Sequence, residues 1–288
     1  MEISFYSDKP KNDVLQQIER VAEDYSFFIE LQVLYIKGAE ISTYENINKF
    51  LLLPKINTVC LIVFEEIKLT DVLSQMLSTH SKLILLNLSS EKWLESLKSS
   101  LNFMEEKDCF TGQLKLQESS QCYPMIEQWL GEQGERIGVR NHRHIQFILT
   151  ELILNSFFDA PIDERGVQLY TTFDRRENIV LPKEKSIEFN YHLDEDFVKL
   201  NVKDYYGSMP KNTLFFYLLK CLRKGEGQID QKEGGAGLGL YLIMKKSCHF
   251  HLKVIPGEET SFTCYYILNR KFKPTKPSCV SYKYGELS

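Results

Sequence analysis

Gly234-Gly235-Ala236-Gly237-Leu238-Gly239-Leu240 runs without a break into the apolar segment Tyr241-Leu242-Ile243-Met244. Glycines leave backbone N–H groups free to approach an anion, and the start of a helix adds a favourable dipole. A flexible hinge is the plainer reading of such a stretch, but a hinge has no need of the bulky residues that follow. A Walker A loop would need a Gly-Lys-Ser/Thr sequence, which is missing. A dinucleotide-binding turn should follow a strand, yet residues 226–233 are polar and charged. The turn therefore reads as a phosphate cradle of another kind, opening a helix at Leu238.

Upstream, residues 145–158 are apolar on almost every side, with Ile145, Phe147, Ile148, Leu149, Leu152, Ile153, Leu154, Phe157 and Phe158. Such a helix is normally buried. Glu151 and Asn155 nevertheless sit on it four residues apart, hence on one face. A buried carboxylate needs a partner. A magnesium-phosphate group is one candidate, since magnesium prefers oxygen ligands. The other is a neighbouring element capped by Glu151, with Asn155 satisfied by backbone. Between these two stretches, the alternating strand 198–202 runs into Asp204, with Gly207 in the turn behind it. A carboxylate at a strand end can accept a hydrogen bond from an aromatic amino group, although Asp and Gly are also ordinary turn residues.

Taken together, the order and spacing of the three signals resemble the N, G1 and G2 boxes of the GHKL ATPases. That superfamily includes histidine kinases, gyrase B subunits, the large heat-shock chaperones and the anti-sigma-factor serine kinases. Glu151-Leu152-Ile153-Leu154-Asn155 resembles the N box, E-x-x-x-N, with Ala160 at its small terminal position. Asp204 and Gly207 resemble the G1 box, and Gly234 to Leu240 the G2 box. Thr260, placed just before a strand over 261–268, resembles the late threonine that assists the aspartate. The resemblance spans residues 121–268 and implies an α+β Bergerat fold (an α/β sandwich) that binds ATP and magnesium. By that resemblance Asp204, with Thr260, selects adenine, and Asn155 holds magnesium. Gly207 and the backbone of Gly234, Gly235, Gly237, Leu238 and Gly239 receive the nucleotide, and Glu151 is the catalytic carboxylate.

Some positions depart from the family pattern. The usual D-x-G-x-G is replaced by Tyr206 and Ser208 at the glycine positions, and Phe158 and Asp159 follow the N-box asparagine. No dimerising phosphoacceptor histidine is evident. His142 and His144 lie two apart, cannot share a helical face, and read as a helix start. With one short helix over 123–135 before the N box, the layout is closest to the stand-alone anti-sigma-factor-type kinases. Residues 208–233 correspond to the ATP lid. Its Lys220, Arg223, Lys224 and Lys232 are candidates for phosphate contact or for an ordinary solvated face.

The first part of the chain alternates between patterns. Strands are predicted at 3–6, 27–36, 58–64 and 82–88, and helices at 11–25, 41–53, 69–78 and 92–104. Nearly continuous apolar strands between helices argue for a doubly wound parallel sheet of flavodoxin-like type. This half is somewhat like a response-regulator receiver domain, but its acidic positions are degenerate. Only Asp8 follows the first strand, and Glu65 and Glu66 follow the third. It reads as a receiver-like or generic regulatory module over 1–115. The ATP-binding domain is expected at 121–268, and a flexible basic tail with Lys271, Lys273, Lys276 and Lys283 at 269–288.

Composition sets the outer bounds. With 43% hydrophobic and 26% charged residues the chain has ample core. A formal charge of -4 and a pI near 5.9 argue against nucleic acid or a membrane as the partner. No apolar stretch is long enough to span a bilayer, and the N-terminus lacks the pattern of a signal peptide. Seven scattered cysteines without C-x-x-C spacing fit thiols in a reducing cytoplasm better than disulfides or zinc. The sequence thus predicts a cytoplasmic, bacterial-type signalling protein. It would be an ATP-dependent kinase or ATPase acting on a regulatory partner of the anti-sigma-antagonist, sigma-factor or response-regulator type. A non-catalytic ATP-sensing adaptor is the alternative, and homodimer formation stays open.

Overall fold

The computed structural model describes residues 2–5, 12–25, 30–36, 58–64, 82–88, 93–105, 107, 109–213, 238–268 and 279–285. Their strands form one mixed ten-stranded sheet in the order β1-β2-β3-β4-β10-β8-β9-β7-β6-β5. The strands are β1 (Glu2–Phe5), β2 (Glu30–Ile36), β3 (Thr58–Phe64), β4 (Lys82–Asn87), β5 (Gly112–Leu116), β6 (Ile187–Leu193), β7 (Phe197–Asp204), β8 (His249–Ile255), β9 (Glu259–Ile267) and β10 (Cys279–Tyr284). The helices are α1 (Asn12–Glu23), α2 (Trp93–Met104), α3 (Cys122–Ile137), α4 (Val139–Phe158) and α5 (Leu238–Lys246). The predicted helices at 41–53 and 69–78 lie outside the described residues.

β1 to β4 are parallel, as their apolar runs predict. Their order follows the sequence, so β1 stands at the edge instead of inside, as a flavodoxin-like order would have it. With four residues, β1 is a suitably short edge strand. One face of these strands packs with α1 and α2 through Leu31, Val33, Val59, Leu61, Val63, Ile84 and Leu86. On the opposite face Cys60, Ile62, Leu83 and Leu85 join a larger core that runs through β10 and β8 to α3, α4 and α5.

β10 is the join between the two halves. It pairs antiparallel with β4 and parallel with β8. The expectation of a loose tail is thereby corrected over 279–284. Lysines and prolines are concentrated ahead of that segment, at 271–277, whereas Cys279-Val280-Ser281-Tyr282 alternates with period two. Val280 and Tyr282 are buried in the larger core, while Cys279 faces the α1–α2 side. The polar stretch 105–121, which spans the boundary between the two expected domains, contains β5. This edge strand pairs with β6, and four of its five residues are not buried, so its pattern reads as loop.

On the second half of the sheet, Ile187, Phe189, Val198, Leu200, Val202, Phe262 and Cys264 face α3, α4 and α5. The intervening residues are polar. Asn201 donates to Ser261 Oγ (2.7 Å) and Thr263 Oγ1 (2.9 Å), and it accepts from Asn190 Nδ2 (3.0 Å). α3 stops at Gly138, whose φ of 77° turns the chain sharply into α4. α4 therefore starts at Val139, before His142. His144 Nδ1 lies 2.9 Å from the Tyr266 hydroxyl, a structural tie to the sheet.

α2 docks on β8 through two buried histidines. Ser96 Oγ is 2.7 Å from His249 Nε2, Ser99 Oγ is 3.1 Å from His251 Nε2, and Phe103 stacks on His251 at 4.9 Å. Burial, then His249 and Lys199, hold the His251 pKa well below its ordinary value. Its Nδ1 is buried without a hydrogen-bond partner among the described residues, so protonation would put an N–H there with no acceptor. The unfolded chain takes up this proton first, near pH 6.5. The contribution of neutral His251 is complete above that pH and declines as pH falls through it. Wild type should therefore lose stability relative to His251→Gln as pH falls below about 6.5, measured by denaturant unfolding at each pH. A constant difference would show that folding does not lower the His251 pKa.

Candidate functional site

Strand β7 ends at Asp204, and β9 places Thr260 directly beside it in register. β9 begins at Glu259, so Thr260 lies inside the strand and not before it. Both residues are 2% exposed. The Asp204 carboxylate accepts backbone hydrogen bonds from Tyr206 (3.0 Å), Gly207 and Thr260. These N–H groups favour its charged form. Burial opposes them more strongly and pushes the pKa up to about 7. The cost of that buried charge grows as pH rises from the unfolded value near 4 through the folded one. Beside it, Thr260 Oγ1 is buried with no partner among the described residues. A carboxylate and an unpaired hydroxyl side by side at a sheet terminus form a ready acceptor and donor pair.

The turn behind Asp204 depends on Gly207. Its φ is 56°, and a Cβ there would lie 2.0 Å from the Ile255 carbonyl oxygen and under 3 Å from the N atoms of Gly257 and Glu258. The Gly257 N–H also donates to the Gly207 carbonyl (3.2 Å). Only glycine allows this turn to lie against the β8–β9 connection. Tyr206, at a position where the D-x-G-x-G pattern has glycine, packs half-buried against the core, with Lys185 over its ring at 5.3 Å.

α4 carries the second group. Its apolar faces are buried by α3, α5 and the sheet, and Glu151, Asn155 and Asp159 follow at four-residue intervals along one side. Glu151 meets the start of α5. A Cβ on Gly239 would lie 2.1 Å from Glu151 Oε2, so glycine is what lets helix and carboxylate come together. Burial raises the Glu151 pKa, Arg175 opposes that rise, and Asp159 adds to it. Asn155 is partly exposed, and its backbone carbonyl accepts from the N–H groups of Asp159 (2.8 Å) and Ala160 (3.2 Å) at the end of α4.

Compared with protein-family models, curated proteins and solved structures, the chain has no significant match. The site therefore stands on its own residues. The structure brings Asp204, Gly207 and Thr260 together, and likewise Glu151, Asn155 and Gly239. Leu238 is the first residue of α5, as expected, but nothing of its side chain is described. Gly234, Gly235 and Gly237, and most of the predicted lid, lie outside the described residues. Among the described residues no cluster of His, Cys, Asp and Glu could hold a metal by itself, and no helix is long and apolar enough to cross a membrane.

The sequence reading missed the connection between α4 and β6. It folds back on the site, with Gln168 Nε2 donating to the Asp159 carbonyl (2.7 Å). Arg175 is bonded to the Asp159 carboxylate (2.9 Å) and lies over the Phe158 ring. Tyr170 is close enough to Tyr206 to help raise its pKa. No periodic or motif signal marks this segment, because its contacts are made at long range.

Proposed function

We propose that the second half of the chain binds ATP in a Bergerat-type site of the GHKL kind. The observation that carries this reading is the Asp204–Thr260 pair, a costly buried carboxylate beside a buried hydroxyl that has no partner among the described residues. Adenine offers the complement, since its amino group donates and its ring nitrogens accept. Guanine presents a carbonyl at the same place and would face the carboxylate with a second acceptor, so ATP should be preferred over GTP. The phosphate chain would extend toward Glu151, Asn155 and the N-terminus of α5, where the dipole favours anions.

Asn155 would supply an oxygen ligand to magnesium, an ion that needs few protein contacts. When bound, magnesium offsets phosphate charge and aligns the transferred group. Glu151 would orient or deprotonate the attacking group, a water in an ATPase or a partner hydroxyl in a serine/threonine kinase. Such a protein would act in cytoplasmic signalling through a regulatory partner. A second reading, a nucleotide-sensing adaptor without turnover, draws on Tyr206, whose bulk occupies a place where the family pattern has glycine.

Titration calorimetry with magnesium and ATP tests the binding site. Asp204→Asn removes the charged acceptor, and a charge-assisted hydrogen bond is worth about 1.5–3 kcal/mol. The affinity should drop roughly tenfold to a hundredfold, and the preference over GTP should shrink with it. Unchanged affinity in a folded Asp204→Asn protein would falsify the assignment.

A further inference from the structure

Arg175 and Arg176 are neighbours with opposite surroundings. Arg176 faces solvent, 89% exposed, and gives both Nε and Nη2 to Asp174. Arg175, 37% exposed, lies over the Phe158 ring at 4.9 Å, with Nη2 bonded to Asp159 at 2.9 Å. That bond uses one of its five N–H donors, and no other hydrogen bond of the guanidinium is found among the described residues. Asp159 lies one turn beyond Asn155 and two beyond Glu151 on the same side of α4. Arg175 thus stands at the end of the stripe that also holds Glu151 and Asn155, and among the described residues it is the cation whose field reaches the Glu151 carboxylate.

Two carboxylates and one carboxamide are a poor receptor for a polyanion without a cation beside them. A guanidinium pre-set by ring stacking and a single carboxylate bond loses little freedom on gaining another partner, and its planar fork suits phosphate oxygens. We infer that Arg175 contacts the phosphate chain of the nucleotide and sets the preference for ATP over less phosphorylated forms. This rests on the ATP-binding reading above. The connection between α4 and β6 is then part of the binding site and not merely a surface loop.

The test is calorimetry of the full chain with Mg-ATP, Mg-ADP and adenosine, using wild type, Arg175→Ala and Arg176→Ala. Arg175→Ala should lower ATP affinity by about tenfold to a hundredfold, with adenosine affinity kept within about twofold. The salt dependence of ATP binding should flatten in the same variant. Arg176→Ala should leave all three ligands unchanged. Equal weakening of ATP and adenosine in Arg175→Ala would mean that Arg175 only holds the loop, and no change would mean that it touches no ligand. Either result overturns the inference while the ATP site stands. Failure of wild type to bind any of the three ligands would remove the ATP reading itself, and this inference with it.

Discussion

Glu151→Gln should cut ATP turnover by about 10²–10⁴-fold, the usual contribution of a positioned general base. ATP affinity should stay within a few-fold. Glutamine keeps the size and much of the hydrogen bonding of the side chain but cannot take a proton. The expectation rests on where Glu151 stands: half-buried on α4, against the start of α5, with Gly239 making room for its carboxylate. Burial raises its pKa above the ordinary glutamate value near 4.3. The acid limb of a pH–rate profile should therefore lie above that value in wild type and vanish in Glu151→Gln. ADP release, assayed with and without candidate protein partners, gives both quantities. Normal turnover in Glu151→Gln would make Glu151 a structural carboxylate. A wild type inactive with every partner would favour the adaptor.

Gly207→Ala should produce the largest loss of stability. An L-residue at a φ of 56° costs about 1 kcal/mol or more. The added Cβ would also meet the Ile255 carbonyl oxygen at 2.0 Å. That neighbour is backbone at the end of β8, so relief requires moving either the turn or the strand end. A combined cost of about 3 kcal/mol is expected, a fall in Tm of roughly 5–10 °C. Moving the turn would also withdraw the Tyr206 and Gly207 N–H groups from Asp204, so nucleotide affinity should be lost together with stability. Scanning calorimetry and ATP titration on one preparation check both effects. A variant with unchanged Tm would show that the turn has room to adjust.

The elements near the site were legible because each has a local cause. The long apolar run in α4 makes a buried helix, and any polar residue on it conspicuous, which singles out Glu151 and Asn155. The alternation in 198–202 makes a strand, and its end fixes Asp204. Gly207 was legible as a turn residue, but why it must be glycine was not, because the clash is with Ile255, far along the chain. Thr260 was placed just ahead of β9 because strand boundaries depend on the pairing partner. Its register with Asp204 draws it into the strand.

By itself the sequence determined the strands of the first half with its helices α1 and α2, the parallel character of β1 to β4, and the residue types at the candidate site. These follow from periodicity, glycine and the cost of burying charge, all of which act over a few residues. Only the tertiary structure decided the rest. It joined the two halves into one sheet, because the edges of β4 and β8 are both satisfied by β10, a strand hidden behind a lysine- and proline-rich segment. It set β1 at the edge, since strand order depends on crossovers that composition does not encode. It brought Arg175 to the end of α4 through one carboxylate and one ring. Contacts between residues far apart in sequence leave no periodic trace in the chain, and so they had to be seen in space.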